Sequence, residues 1–150
     1  MESIDLIVCI RSISKAYDGV LKKICAVFGL SLLEVKVLSF LHNNPQMNTA
    51  GDIAEYRMLS KGNVSQSVES LIQRGLLERV PDTADRRKVH LFLLPAAKPV
   101  TERIDSEWQR FDKKLFENFG KEDLAWFDDF KEKLMQNAKA IMAEAEESRQ

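Results

Sequence analysis

Apolar residues recur along this chain at helical spacing, except in two short apolar runs near its middle. Positions three or four residues apart share one face of a helix, so the spacing predicts six helices. They cover about residues 5–28, 31–42, 49–58, 60–74, 99–119 and 121–146. Residues 76–80 and 89–94 are short runs rich in Leu and Val, separated by turn residues, which predicts a β-hairpin. The predicted fold class is mainly α with one small antiparallel hairpin.

Capping residues mark where several of these helices begin. Ser31 with Glu34 and Thr49 with Asp52 form capping boxes, in which a hydroxyl and a carboxylate bond otherwise unpaired backbone amides. Ser60 is a further good N-cap. The third and fourth helices are then separated by a turn of about three residues. Two short helices joined this tightly form a helix-turn-helix.

The fourth helix carries amides and hydroxyls where an ordinary solvated helix would carry Lys and Glu. Its inner stripe consists of Val64, Val68, Leu71 and Ile72. Its outer face consists of Gly62, Asn63, Gln66, Ser70 and Gln73, with Ser67 at the margin. Amides and hydroxyls both donate and accept hydrogen bonds toward base edges and phosphates. The face therefore indicates a DNA recognition helix, with a plain surface helix as the alternative.

The hairpin after this helix favours the DNA interpretation. Its tip reads Asp85, Arg86, Arg87 and Lys88. A basic hairpin directly after a recognition-type helix is a wing, whose arginines can reach phosphates or an adjacent minor groove. On the helix itself, Lys61 is placed for a phosphate contact. Together with the hairpin, the pattern predicts a winged helix-turn-helix.

Charge is distributed unevenly, although the formal net charge is only -1. Residues 57–90 contain seven Lys and Arg against four Asp and Glu, whereas residues 101–150 contain nine against thirteen. Positive charge thus surrounds the candidate recognition helix. A local basic face on an otherwise acidic protein suits a nucleic-acid partner.

Several other classes of protein are disfavoured. No stretch of about 18 apolar residues is present and the amino terminus is acidic, so we expect a cytoplasmic protein without a membrane segment. Cys9 and Cys25 form no CxxC pattern and are expected to be reduced and mostly buried. His42 and His90 lack ligand-spaced neighbours and are expected to be incidental, with a place near the DNA backbone as the alternative for His90, so neither a metal nor another cofactor is predicted. Because no nucleophile, phosphate loop or metal set is present, an enzyme is not expected.

The hydrophobic pattern divides the chain into three parts. Residues 31–98 are predicted to form the winged helix-turn-helix DNA-binding domain. Residues 1–30 and 99–150 form long apolar helices that such a small domain does not need, so we expect them to be dimerisation helices of a homodimer. Their aromatic stripe is interpreted as dimer core, with a pocket for a small aromatic effector as the alternative. It consists of Trp108, Phe111, Trp126, Phe127 and Phe130.

Five motifs in this order resemble the MarR family of winged helix-turn-helix regulators. Residues 29–31 resemble its GLT motif, 52–55 its ELAE helix, 59–65 its LSKSTVS motif, 75–79 its KGLVER strand and 85–87 its DRR wing signature. Each motif alone is weak, but five at the right spacing are specific. The strand after the wing departs from the family pattern, because Pro95 follows Leu94 where the family has LT. The exact start of the fifth helix is therefore left open.

The resemblance implies a homodimeric repressor that binds a pseudopalindromic operator in double-stranded DNA until a small molecule, metal or oxidant releases it. Asp85 would by analogy hold a wing arginine through a charge-assisted hydrogen bond. The implied DNA contacts are Ser60, Lys61, Asn63, Ser65, Gln66, Ser67, Arg86 and Arg87. The alternative function is a winged-helix protein-interaction module without DNA binding.

One branch of the family senses hydroperoxides through a cysteine of the first helix, which raises the question of a redox role for Cys9 and Cys25. That branch places its thiol at a different distance from the first-helix Tyr than Cys9 lies from Tyr17. A sensor thiol must also be exposed and ionised. Buried structural thiols are therefore the favoured interpretation, and oxidant sensing is the alternative.

Overall fold

The structure is a computed structural model that describes residues 3–148. Its elements are α1 (Ser3–Phe28), α2 (Leu32–Asn43), α3 (Ala50–Tyr56), α4 (Lys61–Gln73), β1 (Leu77–Pro81), β2 (Val89–Leu93), α5 (Lys98–Leu115) and α6 (Lys121–Glu147). A 3-10 turn, Pro95–Ala97, precedes α5. The predicted fold class, mainly α with a winged helix-turn-helix, one antiparallel hairpin and long terminal helices, is confirmed.

Both predicted capping boxes are present. The Ser31 hydroxyl accepts from the Glu34 amide at 3.1 Å, and the Glu34 carboxylate accepts from the Ser31 amide at 2.7 Å. Thr49 and Asp52 make the same reciprocal pair at 3.1 and 3.0 Å. These bonds satisfy backbone donors that have no partner within the first turn of a helix. The starts of α2 and α3 are therefore determined locally.

Two glycines end helices in the left-handed backbone region. Gly29 follows α1 with φ of 64°, and Gly75 follows α4 with φ of 70°. In each case the next residue's amide bonds back to a carbonyl five residues earlier, as in Leu76 N to Leu71 O at 3.0 Å. Side chains with a Cβ are strained in this region, whereas glycine is not. Gly75 thus lets the chain turn directly from α4 into β1.

The hairpin pairs β1 and β2 antiparallel, with the register running from Leu77 opposite Leu93 to Pro81 opposite Val89. Pro81 had been predicted as a turn residue, but it is the last residue of β1. A proline is tolerated at a strand end because no ladder bond needs its missing N–H. The Leu91 amide also donates to the Asn48 carbonyl at 2.8 Å. This bond attaches the hairpin to the loop before α3.

The second helix lies at the centre of the hydrophobic core. Val35, Val37, Leu38 and Phe40 are each 0% exposed, although they point in different directions around α2. A helix buried on most sides needs partners around its girth. These core partners come from α1, α3, α4, β1, β2 and α5, and they include Ile24, Ile53, Val64, Leu77, Leu91 and Ile104. The core positions α3 and α4 on a rigid support.

The chain divides into two compact units, one up to Asp112 and a smaller one from Lys113. In the smaller unit Phe116 packs edge-on against Phe119 and Phe127, with ring centroids 5.7 and 5.5 Å apart. The fifth helix ends at Leu115 and not at the predicted Phe119. The chain turns at Asn118, whose φ is 71°, and Asn tolerates this region better than most residues. Apolar spacing continues through the turn, which is why periodicity alone misplaced the end.

No single helix within residues 3–148 has the length and apolar character needed to cross a membrane. Residues 5–28 and 32–43 pass that test only when taken together, with a bend of 103° between them.

Candidate nucleic-acid interface

The turn between α3 and α4 spans residues 57–60. The Leu59 amide donates to the Ala54 carbonyl at 2.8 Å, and Met58 adopts a left-handed conformation with φ of 53°. Ser60 then caps α4, because its Oγ accepts from the Asn63 amide at 3.2 Å. The predicted N-cap is thus confirmed. These contacts set where the recognition helix begins relative to the core.

The fourth helix buries its apolar stripe and exposes its polar face. Val64 and Leu71 are 0% exposed and Val68 is 2% exposed. Five of the eight residues implied as DNA contacts lie on the exposed side at the amino end of α4: Ser60, Lys61, Asn63, Ser65 and Gln66. An uncharged, hydrogen-bonding surface is thereby presented to solvent over about two turns. Its role in binding DNA remains a prediction.

Ser67 does not share this surface. It is only 7% exposed and lies on the packed side of α4, three residues after Val64 and four before Leu71. That spacing places it on the apolar stripe, where a small side chain allows close helix packing. Because the structure places Ser67 inward, we leave it out of the proposed DNA contacts.

A buried carboxylate fastens the other end of α4 to α2. Glu34 is 4% exposed and accepts a hydrogen bond from the Ser70 hydroxyl at 2.5 Å. Arg74 donates to the Gly29 carbonyl at 2.8 Å, and its Nε lies 3.8 Å from the Glu34 carboxylate. Burial alone would raise the pKa of Glu34, but the bonds from Ser70 and Ser31 and the charge of Arg74 lower it overall. Glu34, identified from sequence only as a cap, therefore also holds α4.

The wing loop is shaped by two aspartates. Asp82 Oδ1 accepts from the backbone amides of Ala84 and Asp85, both at 2.8 Å. Asp85 Oδ1 accepts from the backbone amide of Arg87 at 3.0 Å. The resemblance implied that Asp85 holds an arginine side chain, but the bond it makes is to the main chain. Arg86 and Arg87 are both exposed, as a phosphate or groove contact requires.

His90, expected to be incidental, is at the base of the wing. Its Nδ1 lies 2.6 Å from Asn48 Oδ1, and its Nε2 lies 2.8 Å from Asp82 Oδ2. The hydrogen bond with His90 is the chief reason that the pKa of Asp82 is lowered to about 2, followed by the Asp85 and Ala84 amides. The partners of His90 are 42 and 8 residues away in sequence, so no local spacing signals this network.

His42 was also expected to be incidental and also has a partner. Its Nε2 lies 3.0 Å from both carboxylate oxygens of Asp105. The pair joins α2 to α5 within the larger unit. Both histidines of the chain are therefore paired with carboxylates.

Comparison with known proteins supports the resemblance that the sequence motifs indicated. A family model described as the MarR family matches residues 28–88, which extend from the end of α1 to the wing. The resemblance to the MarR family is thereby confirmed. The uncharacterised HTH-type transcriptional regulator YsmB of Bacillus subtilis (strain 168) is 29% identical over 80 residues. That alignment covers 53% of this chain and 55% of YsmB, about half the length of each protein.

Solved structures of MarR-type proteins share the fold. A MarR protein from Peptoclostridium difficile matches with a TM-score of 0.78 and 19% identity, over 93% of this chain and 90% of that one. The MepR–DNA complex of S. aureus matches with a TM-score of 0.73 and 18% identity, over 87% of this chain and 94% of that one. At such identities the likeness establishes the fold alone.

The two thiols differ from the expectation that both are mostly buried. Cys9 is exposed in the single chain, whereas Cys25 is partly buried. Burial raises the pKa of the Cys25 thiol and so disfavours the reactive thiolate. Both lie on α1 and are separated by sixteen residues, about 24 Å along a helix. They cannot form a disulfide with each other.

Two of the five residues of the aromatic stripe, Trp108 and Trp126, are exposed, and the three phenylalanines are partly buried. In the larger unit Trp108 is 48% exposed, stacks on Phe111 at 5.4 Å and meets the edge of Tyr17 at 5.3 Å. In the smaller unit Trp126 is 65% exposed and stacks on Phe130 at 4.9 Å.

Within residues 3–148, no three His, Cys, Asp or Glu side chains are grouped closely enough to hold a metal ion.

Proposed function

We propose that this chain is a sequence-specific DNA-binding transcriptional regulator that acts as a homodimer. The observation that carries the proposal is the exposed amide-and-hydroxyl face of α4 beside an exposed arginine wing, in a chain with a MarR-type fold. Support comes from MepR of S. aureus, a protein of the same fold whose structure is a complex with DNA.

Each exposed residue has a role suited to its chemistry. We assign Ser60 and Lys61, at the amino end of α4, to phosphate oxygens, which position the protein without reading sequence. Asn63 and Gln66 have the paired donor and acceptor that match the major-groove edge of adenine. Ser65 lies between them as a further polar contact. Arg86 and Arg87 extend the contact from the wing, with only one of them needed in the minor groove.

The proposal of a homodimer rests on apolar surface that the single chain leaves uncovered. α6 has 27 residues, none of which is buried. Its large exposed apolar side chains are Leu124, Trp126, Met135, Ile141 and Met142. On α1, Ile7, Val8 and Ile10 are also at least half exposed. Helices of this kind normally gain their stability by packing, and a second copy of the chain would supply matching faces.

The dimer can be tested on α6 itself. We expect Trp126→Glu to shift the protein toward the monomer, because the charge would be placed in the proposed interface. The control is Gln136→Glu, since Gln136 lies on the side of α6 opposite the apolar stripe and should leave association unchanged. Sedimentation velocity measures the mass, which is 17.2 kDa for one chain. A wild-type protein that sediments as one chain at every concentration would refute the dimer.

DNA affinity should depend strongly on salt. If each subunit contacts about four phosphates, a plot of the logarithm of the affinity against the logarithm of the salt concentration should have a slope of about -7. The probe is a duplex that the wild-type protein enriches from a randomised library, titrated by electrophoretic shift. Two-fold symmetry predicts that the enriched sequence is a pseudopalindrome with half-sites about one helical turn apart. Failure to enrich any duplex, or affinity independent of salt, would remove the proposed function.

We further propose repression, with release by a small aromatic molecule or an oxidant, on the strength of the family resemblance. Cys9, as the exposed thiol, is the better placed of the two for an oxidant. A thermal-shift screen against phenolic compounds and oxidants tests for such an effector, because a ligand that binds the folded state raises its melting temperature. A cytoplasmic location is proposed with this function.

A further inference from the structure

The imidazole of His90 joins two segments that flank the candidate DNA-binding surface. One ring nitrogen lies 2.6 Å from the side-chain oxygen of Asn48, in the loop before α3. The other lies 2.8 Å from the carboxylate of Asp82, at the start of the wing loop. Both distances are typical of good hydrogen bonds. A single side chain thus ties the wing to the helix-turn-helix.

The number of protons on the His90 ring decides which of these two hydrogen bonds can form. A carboxylate and an amide oxygen both act only as acceptors, so the ring must donate from both nitrogens. A neutral imidazole has one N–H, whereas the protonated imidazolium has two. In the neutral ring the bond to Asn48 would be lost, or Asn48 would have to rotate its amide and donate instead. The observed contacts therefore match a positively charged His90.

The remaining charged groups near β2 are mostly engaged elsewhere. Apart from the exposed phenol of Tyr56 on α3, the ionisable side chains of the elements that pack against β2 are Glu78 and Arg79 of β1, Glu34, Lys36 and His42 of α2, and Asp52 and Glu55 of α3. All of these except Glu78 and Glu55 are hydrogen-bonded or ion-paired to residues other than His90. On the wing itself, Asp85 bonds to the main chain and Lys88 is exposed. Asp82 is thus the charged group that His90 contacts directly.

The contacts of Asp82 extend from His90 to the arginines. While Oδ2 faces His90, Oδ1 accepts from the amides of Ala84 and Asp85. Asp85 in turn accepts from the amide of Arg87. A continuous series of hydrogen bonds therefore runs from the imidazole to the tip of the wing. A change at His90 would alter where the wing arginines are held.

We propose that protonated His90 is a positioning residue for the wing, holding Asp82, and through it Arg86 and Arg87, against the Asn48 loop. The inference rests on the proposed DNA-binding function. Imidazole side chains change charge between about pH 5 and 8. Because the bonds to both oxygens require the protonated ring, DNA affinity should be highest at acidic pH and should fall as pH rises.

The experiment compares His90→Gln with His42→Gln, a matched control because the chain has two histidines and each is paired with a carboxylate. Fluorescence anisotropy measures affinity between pH 6 and pH 8 for the duplex enriched by the wild-type protein. Wild type and His42→Gln should lose about thirtyfold in affinity, because a dimer loses one hydrogen bond of ordinary strength in each of its two subunits. His90→Gln should show a flat profile. A pH dependence that survives in His90→Gln would overturn the inference while leaving the proposed function intact.

A second variant and a second measurement separate positioning from a direct phosphate contact. Asn48→Asp supplies another carboxylate to the ring and should move the loss of affinity to higher pH, and an unmoved profile would count against the inference. In a double variant with Arg86→Ala and Arg87→Ala, the difference in affinity between pH 6 and pH 8 should disappear if His90 acts through the arginines, whereas a phosphate contact made by His90 itself would leave that difference in place. Ring nitrogen chemical shifts of His90 report its charge without DNA. A wild-type protein that binds no duplex at any pH would instead remove the proposed function.

Discussion

Replacing Arg86 and Arg87 together with Ala should weaken DNA binding about a thousandfold. A dimer would lose at least one wing contact in each subunit, and two charge-assisted hydrogen bonds of about 2 kcal/mol each add to roughly 4 kcal/mol. Both side chains are exposed, so their removal should leave the fold unchanged. The measurement is a titration of the enriched duplex by fluorescence anisotropy, with circular dichroism to verify folding.

The control for this pair removes the same charge elsewhere. Lys113 and Lys114 lie on α5 and are both exposed, so removing them takes away the same charge from the surface. Replacing both with Ala should alter DNA affinity only slightly. Equal losses in the two double variants would show that net charge, and not the wing, determines binding. An unchanged affinity in the wing variant would favour the protein-interaction alternative.

Phe40→Ala should destabilise the protein by about 3–5 kcal/mol, as is typical for removing a fully buried aromatic ring. Phe40 is 0% exposed on the central helix, and its ring lies 5.5 Å from that of Tyr56 at the end of α3. Since whole domains are stable by only about 5–15 kcal/mol, the loss would be a large fraction of the total. Chemical denaturation followed by circular dichroism measures the free energy of unfolding.

Tyr56 is the matched control, because it forms the other half of the same aromatic pair but is 64% exposed. If burial of Phe40 supplies the stability, Tyr56→Ala should cost less than about 1.5 kcal/mol, the upper value for an aromatic pair. Comparable losses in the two variants would show that the ring contact, and not burial, is responsible. Both proteins must be compared at one concentration, because dimerisation makes stability concentration-dependent.

Features determined over a few residues were predictable from the sequence. The capping boxes, the N-cap of α4 and the glycine at its end each depend on partners within about five residues. The apolar period likewise predicted which side of α4 is buried. Ser67 could have been placed correctly by the same count, since it falls on the stripe of Val64, Val68 and Leu71. The family resemblance matches residue types and does not report which way a side chain points, so it included Ser67 among the DNA contacts.

Features that join distant segments were not predictable. Ser70 meets Glu34 across 36 residues, and His90 meets Asn48 across 42. Only the folded chain brings such groups together, so histidines that looked isolated proved to be paired. The domain boundaries at residues 30 and 98, and the DNA contacts themselves, remain predictions.

Because α6 is uncovered in the single chain, resistance to proteolysis should depend on the concentration of the protein in the cell. A helix that finds its packing only in a second copy would be open to proteolysis whenever the copies separate. If the protein is the proposed dimer, a fall in its concentration would dissociate it from the operator. The same fall would speed the proteolysis of the remaining chains. The response to dilution would then be steeper than mass action on DNA alone provides.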